Sequence, residues 1–87
     1  MISPDNGAYL DSLGWVYYKK GMYKKALQYL EKAAVQFEDP VIFDHLGDVY
    51  NKLNEKENAL KNWRRSLELL PDQESVVKKL KAIDKAP

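Results

Sequence analysis

The chain has 87 residues, of which 45% are hydrophobic and 31% charged, and none is cysteine. This length fits one small domain and argues against a two-domain enzyme. Fourteen lysines and arginines against thirteen aspartates and glutamates leave a formal net charge of +1, which gives no electrostatic surplus for binding nucleic acid. One histidine and no cysteine offer no disulfide framework, no thiolate zinc site and no multi-histidine metal site.

The sequence also carries no membrane or targeting signal. No apolar run approaches the roughly 20 residues that a membrane-spanning helix needs. The first residues, from Met1 to Pro4, lack the basic start and the apolar middle of a signal peptide. We therefore expect a soluble segment without membrane insertion, located in the cytoplasm or the periplasm.

Glycine and proline divide the chain into five segments, and in each segment the apolar residues recur at steps of three and four. All five segments are therefore predicted to be helices. Ser3 and Pro4 are expected to cap and begin the first helix, and Gly21 to follow its end in a left-handed conformation. The predicted helices span about residues 4–20, 22–37, 40–53, 55–70 and 73–85.

The other helix ends are predicted from capping residues. Asp39 supplies a side-chain cap and Pro40 a preset φ for the third helix. Asn54 either takes a left-handed position after that helix or caps the fourth one, and both alternatives stay open. Pro71 marks the end of the fourth helix, and Asp72 is expected to cap the fifth.

The chain repeats itself at a constant offset of 33 residues. The repeated pairs are Leu13 and Leu46, Gly14 and Gly47, Tyr17 and Tyr50, Ala26 and Ala59, and Leu27 and Leu60. A glycine inside a helix costs about 1 kcal/mol relative to alanine. Its recurrence at one place therefore predicts that two helix backbones approach closely there. We expect Gly14 to face Ala26 and Gly47 to face Ala59.

These residues resemble the tetratricopeptide repeat, a helix-turn-helix unit of about 34 residues with the pattern W-x2-L-G-x2-Y, then A-x3-F, then P. The signature positions are Leu10, Leu13, Gly14, Tyr17, Ala26, Leu30 and Ala33 in the first unit, and Phe43, Leu46, Gly47, Tyr50, Ala59, Trp63 and Pro71 in the second. The resemblance implies an all-α fold of five helices, in which antiparallel hairpins stack as a right-handed superhelical solenoid. It implies a single domain over residues 1–87, with repeat 1 at about 6–39, repeat 2 at about 40–71 and a capping helix at about 72–86.

The function implied by the resemblance is protein–protein interaction, with a concave groove that receives a peptide or a partner helix. The first helix of each unit lines that groove. The residues expected there are Ala8, Asp11, Trp15, Tyr18 and Lys19, followed by Val41, Asp44, Asp48, Asn51 and Lys52. Trp15 and Tyr18 share a helix face and would form an aromatic anchor. The alternative is that Trp15 packs against the third helix or against an upstream unit.

The three groove aspartates, Asp11, Asp44 and Asp48, would favour a basic segment of the partner. The alternative is that they are ordinary surface residues paired with Lys19 and Lys52. The only basic concentration of the sequence lies on the fourth and fifth helices, where it is expected to keep the convex surface soluble. The alternative is that it contacts an acidic protein or a phosphate backbone. That group consists of Lys61, Arg64, Arg65, Lys78, Lys79, Lys81 and Lys85.

His45 and Asp48 lie three residues apart, a pairing that invites the idea of general base catalysis. The sequence contains no nucleophile elbow, glycine-rich phosphate loop or second histidine to support it. We therefore predict a surface or structural role for His45. The chain is expected to have no catalytic residue, no metal site and no cofactor, and not to be an enzyme.

The number of units bears on the whole protein, because repeat arrays generally need about three units to bury a continuous core. Two units plus a capping helix are therefore expected to be the C-terminal part of a longer repeat protein. The alternative is self-association through the uncapped N-terminal edge, around Tyr9, Leu10 and Leu13.

Overall fold

The computed structural model describes residues 6–84, which form five α helices and no β strand. The helices are α1 (Gly7–Lys19), α2 (Tyr23–Gln36), α3 (Pro40–Lys52), α4 (Lys56–Leu69) and α5 (Glu74–Ile83). All five predicted helices are present. Their ends differ from the predicted ends by at most three residues, and Lys85 lies outside the described residues.

The start of α1 is set by Asn6 and not by the predicted Ser3 and Pro4, which lie outside the described residues. The Asn6 backbone is extended, and its side-chain oxygen accepts hydrogen bonds from the amides of Ala8 at 2.9 Å and Tyr9 at 3.2 Å. These two amides have no partner inside the helix, so the asparagine cap satisfies them and begins α1 at the next residue.

Two left-handed residues end the first helix of each hairpin. Gly21 has a φ of 78°, as predicted, and Asn54 has a φ of 62° at the equivalent place one repeat later. Asn54 therefore takes the left-handed alternative and does not cap α4, whose N-cap is Glu55. The chain reverses direction after both helices in the same way.

The starts of α3 and α5 differ in how far they follow the prediction. Asp39 caps α3, as expected: its side chain accepts a hydrogen bond of 2.8 Å from the backbone amide of Val41, and Pro40 lies in the first turn. Asp72 does not cap α5; the N-cap is Gln73, which makes no side-chain capping bond. Its side-chain amide instead donates to the carbonyl and hydroxyl oxygens of Ser66, and this ties the start of α5 to the end of α4.

The two internal glycines let the helices of each hairpin approach closely. A Cβ atom on Gly14 would overlap the side chain of Leu30, and one on Gly47 would overlap the indole of Trp63. The close approach predicted at both glycines is therefore present. The nearest side chains are Leu30 at Gly14 and Trp63 at Gly47, each one turn beyond the predicted alanine, and only the backbone oxygen of Ala26 also lies close to Gly14.

Two groups of buried side chains hold the hairpins together. The first consists of Leu10, Ala26, Leu30, Ala33, Ile42, Leu46 and Val49, and the second of Ala59, Trp63 and Val76. Ile42 and Val49 lie outside the signature positions, yet they are only 3% and 0% exposed. They are buried with residues of α1 and α2, so they form the contact between the two repeats.

The helices lie in two rows. Each hairpin pairs α1 with α2 and α3 with α4; the hairpins then meet through α2 and α3, and α5 packs on α4. Consequently α1, α3 and α5 form one row, here called the inner row, while α2 and α4 form the outer row. The described part measures 48 × 26 × 17 Å. None of its helices is long and apolar enough to cross a membrane.

Tyr50 links the repeats by a polar contact. Its hydroxyl donates a hydrogen bond of 2.7 Å to Glu31 Oε1, from α3 to α2. Burial, together with the bond to Glu31, raises the pKa of Tyr50 to about 12.

This raised pKa predicts a loss of stability in alkali. The folded pKa lies above the ordinary value of 10.0, so the contribution of Tyr50 is complete below pH 10 and is lost as the pH rises through about 12. We expect Tyr50→Phe to flatten this part of the decline, measured by urea unfolding at a series of pH values. Tyr17→Phe, the equivalent change in repeat 1, removes a hydroxyl that bonds to no residue among 6–84 and is the control for the substitution itself. Equal slopes for the native chain and Tyr50→Phe would contradict the prediction.

Candidate binding surface on the inner row

Trp15 lies where α1 meets α3. Its ring stacks on Tyr18, with centroids 4.7 Å apart and planes 13° apart, and on His45 of α3, with centroids 4.0 Å apart and planes 18° apart. The ammonium of Lys19 lies 5.2 Å from the centroid of the indole. Trp15 therefore packs against the third helix, and its side chain still keeps part of its surface exposed.

His45 joins the two inner helices. Its Nδ1 atom lies 2.8 Å from Oδ1 of Asp11, and both side chains are mostly buried. A carboxylate only accepts hydrogen bonds, so Nδ1 is the donor. The sequence pairs His45 with Asp48, but in the structure its partner is Asp11 on the neighbouring helix. This position makes His45 a bridge between α1 and α3.

Lys79 joins α5 to the same row. Its ammonium donates to Asp44 Oδ1 at 2.8 Å and to Asp48 Oδ1 at 3.0 Å. The two aspartates share a helix face because they lie four residues apart. Their cationic partner is therefore Lys79, not the predicted Lys19 or Lys52. The prediction that Lys79 lies on the outer surface is wrong, because its side chain points at α3.

Burial and charge pairing act in opposite directions on the pKa values of Asp48 and Lys79. Burial raises the pKa of Asp48 by more than its hydrogen bond to Lys79 lowers it. Burial also acts to lower the pKa of Lys79, but its bonds to two carboxylates outweigh this and raise it. Burial and then the negative charge of Asp48 raise the pKa of Tyr18. One ammonium thus serves two carboxylates, which leaves an excess of negative charge beside the aromatic rings.

The structure brings most of the predicted groove residues together. Asp11, Trp15, Tyr18 and Lys19 form one part of this surface, and Asp44 and Asp48 form the other. Asn51 is partly buried and Lys52 is exposed, both near the C-terminal end of α3. Their side chains make no hydrogen bond or ion pair to this surface within residues 6–84.

The sequence reasoning missed the inward position of Lys79, although helical spacing could have found it. Val76 is buried, and Ile83 is partly buried in the same group. Lys79 lies three residues after the first and four before the second, so it shares their face. Helical spacing could not predict the pairing of His45 with Asp11, because that pairing depends on how two separate helices are rotated.

Several basic residues of the outer row and of α5 have acidic partners. Arg64 pairs with Asp84 at 3.0 Å, and Lys78 with Glu74 at 3.7 Å. Arg65 pairs with two glutamates, Glu38 and Glu68. Arg64, Arg65 and Lys78 are therefore each held in an ion pair. Within residues 6–84, no group of three or more histidine, aspartate or glutamate side chains could hold a metal ion.

Known proteins resemble the chain in both sequence and structure. Tetratricopeptide repeat profiles match residues 7–39 and residues 42–73. A TPR repeat-containing protein of Pseudomonas aeruginosa is 38% identical over 47 residues, which are 54% of this chain and 8% of that protein. A TPR repeat-containing protein of Methanocaldococcus jannaschii is 34% identical over 68 residues, which are 78% of this chain and 12% of that protein.

The anaphase-promoting complex subunit CDC16 of Saccharomyces cerevisiae is 40% identical over an alignment of 75 residues that covers 77% of this chain and 9% of that protein. The chain thus spans 8% to 12% of the length of these curated relatives. The N-terminal domain of stress-induced protein-1 from C. elegans superposes with a TM-score of 0.80 at 24% identity, over 95% of this chain and 71% of that one.

These findings confirm the predicted resemblance and the predicted all-α fold of stacked hairpins. Repeats of this kind generally mediate protein–protein interaction, and the proteins built from them are generally scaffolds without catalytic activity. Because two repeat matches cover most of its length, the chain belongs to the tetratricopeptide repeat family.

Proposed function

We propose that this chain is a protein–protein interaction module whose inner row binds a peptide or a partner helix. The observation that carries the proposal is the stack of Trp15 on Tyr18 and His45, at the junction of α1 and α3. The rings of Trp15 and Tyr18 are only partly buried, so they present aromatic surface beside polar groups. Partly exposed tryptophan and tyrosine are the residue types that most often dominate binding energy.

The stack is also held in place before any partner arrives. Asp11 fixes His45 from the adjacent helix, and the rings of Trp15 and Tyr18 restrict each other. A partner that meets fixed side chains loses less conformational entropy than one that must order them. The inner row therefore has the rigidity that a recognition surface needs.

The acidic groups suggest the polarity of the partner. Asp44 and Asp48 share the single ammonium of Lys79, so one negative charge is left without a cation. A lysine or arginine of the partner would meet favourable potential there. In the proposal, Asn51 and Lys52 extend this surface towards the C-terminal end of α3.

The proposal includes the organisation predicted from the sequence. Residues 6–39 and 40–71 act as two repeats of one domain, closed by α5 as the capping helix. The chain serves as the C-terminal part of a longer repeat protein, in which the inner row continues into further units. The small share of its relatives that it spans supports only the proposal that the chain is part of a longer protein.

The test is a selection from a display library of random peptides on the immobilised chain. Peptides that bind the native chain are expected to bind Trp15→Ala and Tyr18→Ala at least about tenfold more weakly, because truncating a central aromatic anchor removes much of the binding energy. Affinity is measured by titration calorimetry, and circular dichroism checks that both variants stay folded.

The matched control is Val35→Ala. Val35 lies on α2 in the outer row and is 88% exposed. This variant should bind the selected peptides as tightly as the native chain. Peptides that bind both aromatic variants with unchanged affinity would overturn the assignment of the inner row as the binding surface.

A further inference from the structure

Four exposed lysines surround the turn that joins α1 to α2. Here called the lysine turn, the group consists of Lys19, Lys20, Lys24 and Lys25. Met22 lies between the two pairs and is 44% exposed. A Cβ atom built on Gly21 would meet no other atom within 4 Å. This tip of the first hairpin is therefore open within residues 6–84.

No carboxylate neutralises the lysine turn. None of its four lysines forms an ion pair within the described part of the chain. The two helices that it joins contain only two acidic residues, Asp11 and Glu31. Both are bonded to α3, Asp11 to His45 and Glu31 to Tyr50. The turn therefore concentrates positive charge that the fold leaves uncompensated.

Two of these lysines rest on aromatic rings. The ammonium of Lys19 lies 5.2 Å from the centroid of Trp15, and that of Lys25 lies 5.0 Å from the centroid of Tyr17. The negative face of a ring attracts a cation without cancelling its charge. These contacts therefore position the two ammonium groups and leave them available to an anionic partner.

The equivalent turn of repeat 2 shows that the fold does not require this charge. Both turns contain one residue with a left-handed backbone. At the repeat offset of 33 residues, Glu55 stands in place of Met22 and Glu57 in place of Lys24. The chain thus reverses direction equally well with carboxylates at these positions. The lysines and the exposed methionine belong to the first turn alone, so their cause lies outside the fold.

From this we infer that the lysine turn binds the surface of an anionic lipid membrane. The tip is formed by two helix ends and is convex, so it fits a flat partner better than a peptide, which needs a groove. Lysines near such a membrane are attracted by its negative surface potential. Met22, placed between them, can enter the boundary between headgroups and acyl chains. This contact lies at the membrane surface and needs no spanning helix.

Other anionic partners fit the turn less well. Single-stranded nucleic acid stacks its bases on open aromatic rings, but the rings near the turn stack on one another, Trp15 on Tyr18 and Tyr17 on Tyr29. Residues 6–37 also contain no arginine, the side chain that binds phosphate with two parallel hydrogen bonds. An acidic protein segment would be attracted to the lysines, but it would have no use for the exposed Met22.

The test is cosedimentation of the chain with vesicles of phosphatidylcholine that contain about 30% phosphatidylserine. Each lysine near an anionic membrane strengthens binding about fivefold, so four lysines predict half-maximal binding at about 1 mM lipid in about 0.1 M salt. Vesicles of phosphatidylcholine alone should bind almost none of the chain at that concentration. Raising the salt to about 0.5 M should release the chain, because the attraction is screened. Equal binding to both kinds of vesicle would overturn the inference.

The double variant Lys24→Gln with Lys25→Gln removes two charges from the turn and leaves the inner row unchanged. We expect it to bind the phosphatidylserine vesicles about 25-fold more weakly. The matched control is Lys61→Gln with Lys81→Gln, which removes two exposed lysines from α4 and α5 and should change binding by less than about twofold. Circular dichroism checks that both variants stay folded. Equal losses would assign binding to the net charge and overturn the inference.

Met22→Ser distinguishes a membrane from a soluble polyanion. Serine is a favoured residue at the N-cap of a helix, which is the position of Met22 in α2, so the variant is expected to fold. It should bind the vesicles about threefold more weakly and bind poly-glutamate or oligothymidylate as the native chain does. Vesicle binding that is unchanged by Met22→Ser, with tighter binding to either polymer, would overturn the inference. Neither result depends on whether the inner row binds a peptide.

Discussion

Replacing Trp63 with alanine is expected to lower the free energy of unfolding by about 4 kcal/mol, because truncating a buried tryptophan removes apolar contact and leaves a cavity. The indole is 1% exposed and lies against Gly47, and it is buried in one group with Val76 of α5. Its Nε1 atom also donates a hydrogen bond of 3.2 Å to the carbonyl oxygen of Asp44. The change therefore loosens the joint at which α3, α4 and α5 meet.

The chain contains its own control for this prediction. Trp15 is the other tryptophan, and its partly exposed ring stacks on neighbours at the surface of the inner row. Trp15→Ala should cost only about 1 kcal/mol. Both variants are measured by urea unfolding followed by circular dichroism, since each change alters the fluorescence signal. Equal losses for the two variants would contradict the role given to Trp63.

The helices could be predicted from the sequence because most of their ends are determined by the residues next to them. Gly21 needs its left-handed backbone, and Asp39 with Pro40 forms a helix start whatever surrounds it. The role of Asn54 could not be predicted, since asparagine suits both a left-handed turn and a cap. The start of α1 was misplaced because Ser3 and Asn6 are both good capping residues, and only the fold shows which one is used.

The contacts of the candidate site could be predicted less well, because they join different helices. Spacing along one helix places Asp44 and Asp48 on one face, but it does not say which cation reaches them. That depends on the rotation of α5, which turns Lys79 inward and leaves its neighbour Lys78 outside. The pairing of Asp11 with His45 depends in the same way on the angle between α1 and α3.

The repeat signature marks contacts within a hairpin better than contacts between hairpins. Gly14 and Gly47 were found because a glycine inside a helix demands a reason. Ile42 and Val49 are ordinary apolar residues at positions that the signature leaves free, and only the fold shows that they join the repeats. Leu10, which was expected at the N-terminal edge, is instead 3% exposed and belongs to the core.

Gly47→Ala is the second large effect that we expect, a loss of about 3 kcal/mol in the free energy of unfolding. An added Cβ would overlap Nε1 and Cδ1 of Trp63. That ring cannot move aside easily, because it is fully buried and bonded to the carbonyl oxygen of Asp44. The gain of about 1 kcal/mol in helix propensity from glycine to alanine opposes this loss and is already included in it.

Gly7→Ala separates the steric cause from any general effect of the substitution. An added Cβ on Gly7 would overlap the ring of Phe37, which is 47% exposed and can turn towards solvent. We expect this variant to lose less than about 1 kcal/mol, because the neighbour can move. Urea unfolding of both variants gives the comparison. If Gly47→Ala were as stable as Gly7→Ala, the close approach of α3 and α4 at Gly47 would not be needed. The signature glycine of repeat 2 would then have no structural role.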